Sequence, residues 1–435
     1  MRAPEVSGDP HMNQSPAGDF RSTNPHALSV ILEASETRSI IASSDIFDIR
    51  GNLLWARDQP VSTALQRRLM ERSLKSPIET CLVAEDGVRT EGLVAALEAL
   101  LTGSSVLLPL LAPHGTALRR GARAIHLHPV VQLLLSAAQT ARPALFDHAV
   151  QAMALAGALT CATRSASDAE VTEAMTAGLL HDIGEVYAAP EFGEADAASR
   201  LDLETYRQLV VHPHIGQVLL QQLTDYPASI ARAVGEHQEH LDGSGYPHRT
   251  LGADLSPLGR LLAAVEEALA VLRVPGADLH HVGVALRVVP HEFDEAMAGP
   301  FIVAARQASP MAARRSVDDL RQRLERLDAA LRQAPERVRE VLPQPCSEPL
   351  QRIADLTLGL LQRLRDGWNE SGLWSPDGVD ADHLAEAEAV QDALRSRLLE
   401  IGRVARLASA QASDEDRACV ERLCASLIEG LVRPA

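Results

Sequence analysis

Residues 178–184 read Gly178-Leu179-Leu180-His181-Asp182-Ile183-Gly184, an apolar stretch of helical character over 172–180 that stops on an adjacent imidazole and carboxylate. The pattern continues outward on both sides. Upstream, 131–141 and 146–162 are apolar helices separated by Arg142-Pro143, and the second carries His148. Downstream, 206–223 is helical, with Pro213 either near its middle or opening a second helix, and contains His212-Pro213-His214-Ile215-Gly216. After the break Asp225-Tyr226-Pro227, a helix over 229–239 carries His237 into Asp242-Gly243-Ser244-Gly245-Tyr246-Pro247, a run that regular helix does not accept. Helix resumes over 257–272.

Composition agrees with helices and excludes several classes of partner. In 435 residues the hydrophobic fraction is 46% and the aromatic fraction 3%, so the apolar mass is Ala, Leu and Val, which favours helix packing over β-sandwiches. A net charge of -17 lacks the basic footprint that a phosphate backbone requires, so nucleic acid is not an expected partner. Lys75 is the only lysine, and all four tyrosines (Tyr187, Tyr206, Tyr226, Tyr246) share one window. Cys81, Cys161, Cys346, Cys419 and Cys424 form no CxxC pair, which fits inert thiols in a reducing compartment. The first residues carry Glu5 and Asp9 without a continuous apolar core, unlike a signal peptide, and 99–118 is interrupted by Gly103, Pro109 and Pro113. A cytoplasmic protein without a membrane partner is expected.

The rest of the chain divides by texture. Residues 1–26, rich in Pro, Ser, Gly and Asn, read as a disordered tail. Over 40–90 a small α+β cap is expected: Ile46-Phe47-Asp48-Ile49, a turn at Arg50-Gly51-Asn52 and Leu53-Leu54-Trp55 make a hairpin, followed by a helix over about 62–74 and a strand near 79–84. Residues 310–435 carry Leu320, Leu324, Leu327 and Leu331 at heptad-like spacing. Pro343-Gln344-Pro345 and a loop over 372–378 divide this region into at least three helices, an extra C-terminal bundle suited to dimerisation or sensing. The fold class is mainly α, with a helical-bundle domain over 125–305 at its centre.

The chemistry is concentrated in histidines. Neutral imidazoles and a carboxylate are the donors a divalent transition metal prefers, and an aspartate is able to bridge two ions. Taken singly, each of the sixteen histidines reads as a core or surface residue. His126, His128, His214, His248, His280, His281 and His291 are read as structural, the His280-His281 pair in a loop. Asp147, beside His148, points about 100° away around its helix.

Order and spacing make the set distinctive. A lone His148, then His181-Asp182, then His212-Pro213-x-x-Gly216, then His237 before Asp242-Gly243-Ser244-Gly245-Tyr246-Pro247 resembles the HD-GYP family, a subgroup of the HD metal-dependent phosphohydrolases. The resemblance covers about 125–305, including Gly259-Arg260-Leu261-Leu262-Ala263 and Glu292-Phe293-Asp294. It implies an HD-type helical bundle with two divalent transition-metal ions, iron or manganese, that hydrolyses cyclic di-GMP to pGpG or GMP in bacterial signalling. Carried over, His148, His181, Asp182, His212 and His237 match metal ligands, Asp182 bridging, with Gln238 and Glu266 at two further ligand positions. His181, Asp182 and Glu185 fall at catalytic positions. Asp242, Gly243, Gly245, Tyr246 and Pro247 form a recognition loop that implies contact with partner diguanylate cyclase domains.

Three positions depart from the family pattern. Glu185 stands where the family has lysine, which replaces a stabiliser of phosphate charge by a repulsive group. Gln238 replaces a histidine, and a neutral amide is a poorer ligand. Glu266 replaces an aspartate, and the extra methylene shifts its carboxylate by about 1.5 Å. His240 offers a compensating ligand if the helix carrying His237 persists that far. The chain is therefore expected to be a metal-dependent phosphodiesterase, with a catalytically weak or inactive HD-GYP-like interaction module as the alternative.

Overall fold

Prolines open several helices of the central bundle, because the first turn of a helix has no use for the N–H that proline lacks. In the computed structural model, which describes residues 20–69, 72–163, 165–188, 210–307, 313–343, 345–372, 384–409 and 412–432, this start recurs in α6 (Pro129–Ala141), α7 (Pro143–Thr163), α9 (His212–Leu223) and α11 (Pro257–Arg273). Pro213 thus opens a helix rather than bending one; residues 189–209, including Tyr206, lie outside the described residues.

The N-terminal region begins with α1 (Pro25–Ser35), whose Asn24 cap accepts hydrogen bonds from the His26 and Ala27 amides. Two antiparallel pairs follow: β1 (Ile40–Ala42) with β4 (Leu82–Ala84), and β2 (Ile46–Phe47) with β3 (Leu53–Trp55). The hairpin stands where the sequence places it. Between β3 and β4, α2 (Thr63–Leu69) is shorter than the expected 62–74, because Ser73 and Leu74 pair instead with Ser22 and Asp48 as isolated bridges. The expected tail over 1–26 also needs correction at its end. Residues 1–19 lie outside the described residues, but Ser22 is paired, Asn24 caps α1, and Phe20 meets Tyr187 edge-on with ring centroids 5.7 Å apart.

Helices α3 (Thr90–Thr102), α4 (Leu108–Leu111) and α5 (Gly115–Ala124) lead into α6 and α7, then α8 (Asp168–Leu180), α9, α10 (Ala228–Glu236), α11, α12 (Leu279–Ala285) and α13 (Glu295–Ala305). One continuous apolar core runs from Ala27 of α1 through Leu82 of β4 to Ala305 of α13, so the cap is packed into the same core as the helical bundle. Helix α7 is long and apolar enough to cross a membrane, but 67% of its most apolar window is buried within the protein, with α8, α11 and α6 packed around it.

The C-terminal region contains α14 (Val317–Val341), α15 (Glu348–Ser371), α16 (Leu384–Ala408) and α17 (Asp414–Val432). Leu320, Leu324, Leu327 and Leu331 face inward in a second core that also holds Trp368, Leu394 and Val420. That core takes in Val284, Val288 and Val289 from the central domain, so the bundle docks on the end of α12 and the segment that follows it. The joint at Pro343-Gln344-Pro345 falls between α14 and α15, and Gly372 ends α15 in the left-handed region with φ 71°; residues 373–383, most of the expected loop, are outside the described residues. His280 and His281 correct the loop expectation: they begin α12, where Asp278 accepts from both amides and outweighs the local loop signal.

Candidate metal centre

Each candidate histidine sits where a helix begins or ends, or one turn inside. His148 lies in the second turn of α7, His181 follows the last residue of α8, His212 opens α9, and His237 follows α10. A 3-10 turn over Ile183–Tyr187 turns the chain directly after Asp182. Its packing requires Gly184, because a side chain there would collide with the backbone carbonyl of His212. That close approach brings the carboxylate of Asp182 against the imidazole of His212. Arg142 fixes the same turn from the α6–α7 joint, donating to the Glu185 carbonyl at 2.8 Å and the Ala188 carbonyl at 2.9 Å.

The side chains converge as two groups that share Asp182. In the first, His148 Nε2 lies 3.1 Å from His181 Nε2, 3.0 Å from Glu266 Oε2 and 3.3 Å from Asp182 Oδ2. His181 Nε2 is 3.2 Å from Asp182 Oδ2 and 3.3 Å from Glu266 Oε2. In the second, His212 Nε2 and His237 Nε2 stand 3.0 Å apart, at 3.2 and 3.1 Å from Asp182 Oδ1. Within each group the donor atoms all lie within 4.8 Å of one another. The two carboxylate oxygens of Asp182 therefore face different groups, as a bridging role requires.

Ring nitrogens that face each other at 3.0–3.1 Å need a proton or a cation between them. The opposite ring edges favour the cation. His181 Nδ1 is 2.8 Å from the Gly178 carbonyl and His237 Nδ1 is 2.7 Å from the Val234 carbonyl; a carbonyl only accepts, so each Nδ1 carries a proton and Nε2 is the nitrogen turned into the centre. Three of the four histidines, His181, His212 and His237, are at most 1% exposed. This donor set, imidazoles plus carboxylates around a shared aspartate, fits divalent transition metals.

Charge is polarised across the site. Burial disfavours ionised Asp182, but His181, His148 and His212 outweigh it and hold the carboxyl well below its usual range. Glu266 is likewise held low, against burial, by His148, His181 and Arg273. Burial pulls His181 down, yet Asp182 and Glu266 raise it well above 6.5, while burial lowers His237. Glu185 alters the expectation of phosphate repulsion. Burial, with Asp182 and Glu266 facing it, pushes its carboxyl well above 4.5, which weakens its tendency to carry the repelling charge.

The other expectations resolve individually. Glu266 reaches the first group in spite of its extra methylene. Gln238 is half-buried, its carbonyl accepts the Tyr246 amide at 2.9 Å, and its side chain makes no hydrogen bond among the described residues. His240 is not in the cluster: α10 stops at Glu236, and the His240 ring instead bonds Ser244 Oγ at 2.8 Å and lies against Phe293. In the loop over 242–247 Gly243 has φ 75°, which explains the glycine; Asp242 Oδ1 accepts the Ser244 amide at 2.9 Å, and Tyr246-Pro247 is a cis peptide. Gly245 lies directly on the backbone of residues 238–240, where a side chain does not fit. Asp147 is exposed and turned away.

Sequence reasoning missed Arg273. At the end of α11 it meets Glu266 Oε1 at 2.9 Å, leaving Oε2 for the histidines. Its signal was the seven-residue interval from Glu266, two helical turns on one face.

A family model described as "HD domain" matches residues 132–274, the segment that holds all six side chains. A curated relative, the 3'3'-cGAMP-specific phosphodiesterase 3 of Vibrio cholerae serotype O1, is 31% identical over 100 residues. That match covers 23% of this chain and 21% of the relative, so the chain spans about a fifth of the length of the curated relative it matches. A solved structure titled Bd1817, a HDG"Y"P protein from Bdellovibrio bacteriovorus, aligns with a TM-score of 0.35 at 13% identity, over 62% of this chain and 97% of that one.

Proposed function

We propose that this chain, whose segment 132–274 matches the HD domain and whose motif words resemble the HD-GYP family, is a metal-dependent phosphodiesterase of cyclic dinucleotides, with cyclic di-GMP as substrate. The observation that carries the reading is the pair of donor groups joined by Asp182, with Nε2 atoms aimed inward. His148, His181, Asp182 and Glu266 would hold one divalent ion, Asp182, His212 and His237 the other. Such ions, iron or manganese, lower the pKa of bound water and neutralise charge on a phosphoryl group. The chain's own residues orient that pair: carbonyls of Gly178 and Val234 fix the rings, and Arg273 fixes Glu266.

The products would be pGpG or GMP. On the same reading the protein acts in the cytoplasm, the Tyr246 loop meets a diguanylate cyclase domain, and the C-terminal helices pair with a second copy. The test is hydrolysis of cyclic di-GMP and of 3'3'-cGAMP by metal-loaded protein. Turnover of either that disappears in His181→Ala/Asp182→Ala supports a phosphodiesterase, and preference between the two identifies the substrate. Turnover unchanged in the double variant contradicts it. Glu185 and Gln238 support the second reading, a weak or silent interaction module. In that case Glu185→Lys/Gln238→His raises activity, whereas a wild type already at full activity removes that reading.

A further inference from the structure

The C-terminal bundle reaches the loop that follows His237 through two arginines. Arg397 of α16 is 14% exposed and meets three groups outside the C-terminal bundle: Glu292 Oε1 at 2.7 Å, Glu267 Oε1 at 3.0 Å, and the face of Phe293 at 5.5 Å from the ring centroid. Glu267 is the helix neighbour of Glu266. Phe293 is the surface on which the His240 ring rests, with centroids 4.8 Å apart. Glu292 accepts the Leu241 amide on its backbone carbonyl at 2.9 Å. Arg363 of α15 adds a second fastening, Nε to Asp242 Oδ2 at 2.9 Å, with Asp242 95% withdrawn from solvent.

These contacts meet on one segment. Residues 240–242 are held from below by Phe293 and the Glu292 carbonyl, and from the side by Arg363. From there Leu241 accepts the Gly252 amide at 2.9 Å, which closes the loop that contains Tyr246. We infer that Arg397 and Arg363 are positioning residues: the C-terminal bundle sets the geometry of the 240–252 loop. The bundle is then a working part of the site rather than an appended module.

The loop's place beside the site rests on the reading given above, but its restraint by the bundle is measurable without turnover. Hydrogen exchange on the full chain compares wild type with Arg397→Met and Arg363→Met. Breaking a mostly buried ion pair is expected to speed exchange over 240–252 by at least about tenfold while α7 keeps its protection. Exchange over 240–252 that stays at the wild-type rate, or that rises together with α7, overturns the inference. If Arg397→Met does not fold, Arg363→Met, at a side chain 35% exposed, decides by the same criterion. On metal-loaded protein with turnover, the positioning role raises KM for the cyclic dinucleotide at unchanged bound metal, and Arg397→Lys recovers part of the loss; a loss of metal at unchanged KM contradicts it.

Discussion

At the residue scale the centre depends on direction as much as on identity. Four imidazoles close together would repel a cation if their protons pointed inward, and the carbonyls of Gly178 and Val234 prevent this for His181 and His237 by taking the Nδ1 protons. Arg273 plays the corresponding part for a carboxylate, occupying Oε1 of Glu266. Partners of this kind typically change metal affinity or activity about 10–100-fold, so Arg273→Gln should weaken metal binding within that range, read by titration with the chosen metal. Binding at wild-type strength would reduce Arg273 to a surface ion pair. The four histidines and Asp182 were legible from their order and spacing along the chain. Arg273 was not, since an arginine closing a helix has an ordinary use at the negative end of its dipole.

At the element scale the 3-10 turn after α8 joins the two donor groups. Its tight path relies on Gly184 against the His212 carbonyl, with Arg142 holding two carbonyls across the turn. Gly184→Ala should therefore destabilise the chain by about 1–3 kcal/mol, the usual cost of forcing an extra carbon into a packed site, measured by urea unfolding. A neutral effect would mean that the turn and α9 separate easily. Helices with Pro starts and apolar faces were legible from α6 onward, because periodicity and caps act locally, whereas α1, which opens on Pro25, was not. The elements that went otherwise were set by distant partners. The stretch beyond α2 pairs with Ser22 and Asp48, and the turn that displaces His240 from the cluster is stabilised by Phe293, fifty-three residues further on.

At the scale of the whole molecule, the cap, the HD domain and the C-terminal bundle are joined by buried polar contacts that no periodicity announces. Tyr187, in the turn after Asp182, donates to Glu79 of the cap at 2.8 Å, and Arg397 crosses from the bundle to Glu267 and Glu292. The second junction gives a pH signature. Burial raises Glu292, against the pull of Arg397 and with the help of Glu267 and Asp242, up to about 8 from 4.5; His240, 3.6 Å away, is pushed down to about 4 by burial and Arg397 and stays neutral. Between 4.5 and about 8 the folded chain thus holds a proton on Glu292 that the unfolded chain releases, so this group's contribution to stability falls as pH rises through that window. Glu292→Gln should flatten the decline by up to about 1.4 kcal/mol per pH unit in denaturant titrations; an unchanged slope would mean that Glu292 is ionised throughout.

The central claim is that six side chains, with Asp182 between two groups, form one centre for a pair of divalent ions. Metal analysis of purified full-length protein, reconstituted with manganese or iron and freed of excess, tests it most directly against Asp182→Ala. About two ions per wild-type chain are expected, as in two-metal sites, and loss of both on removal of the shared carboxylate. Wild-type protein that retains no metal, or Asp182→Ala that retains both ions, would contradict it.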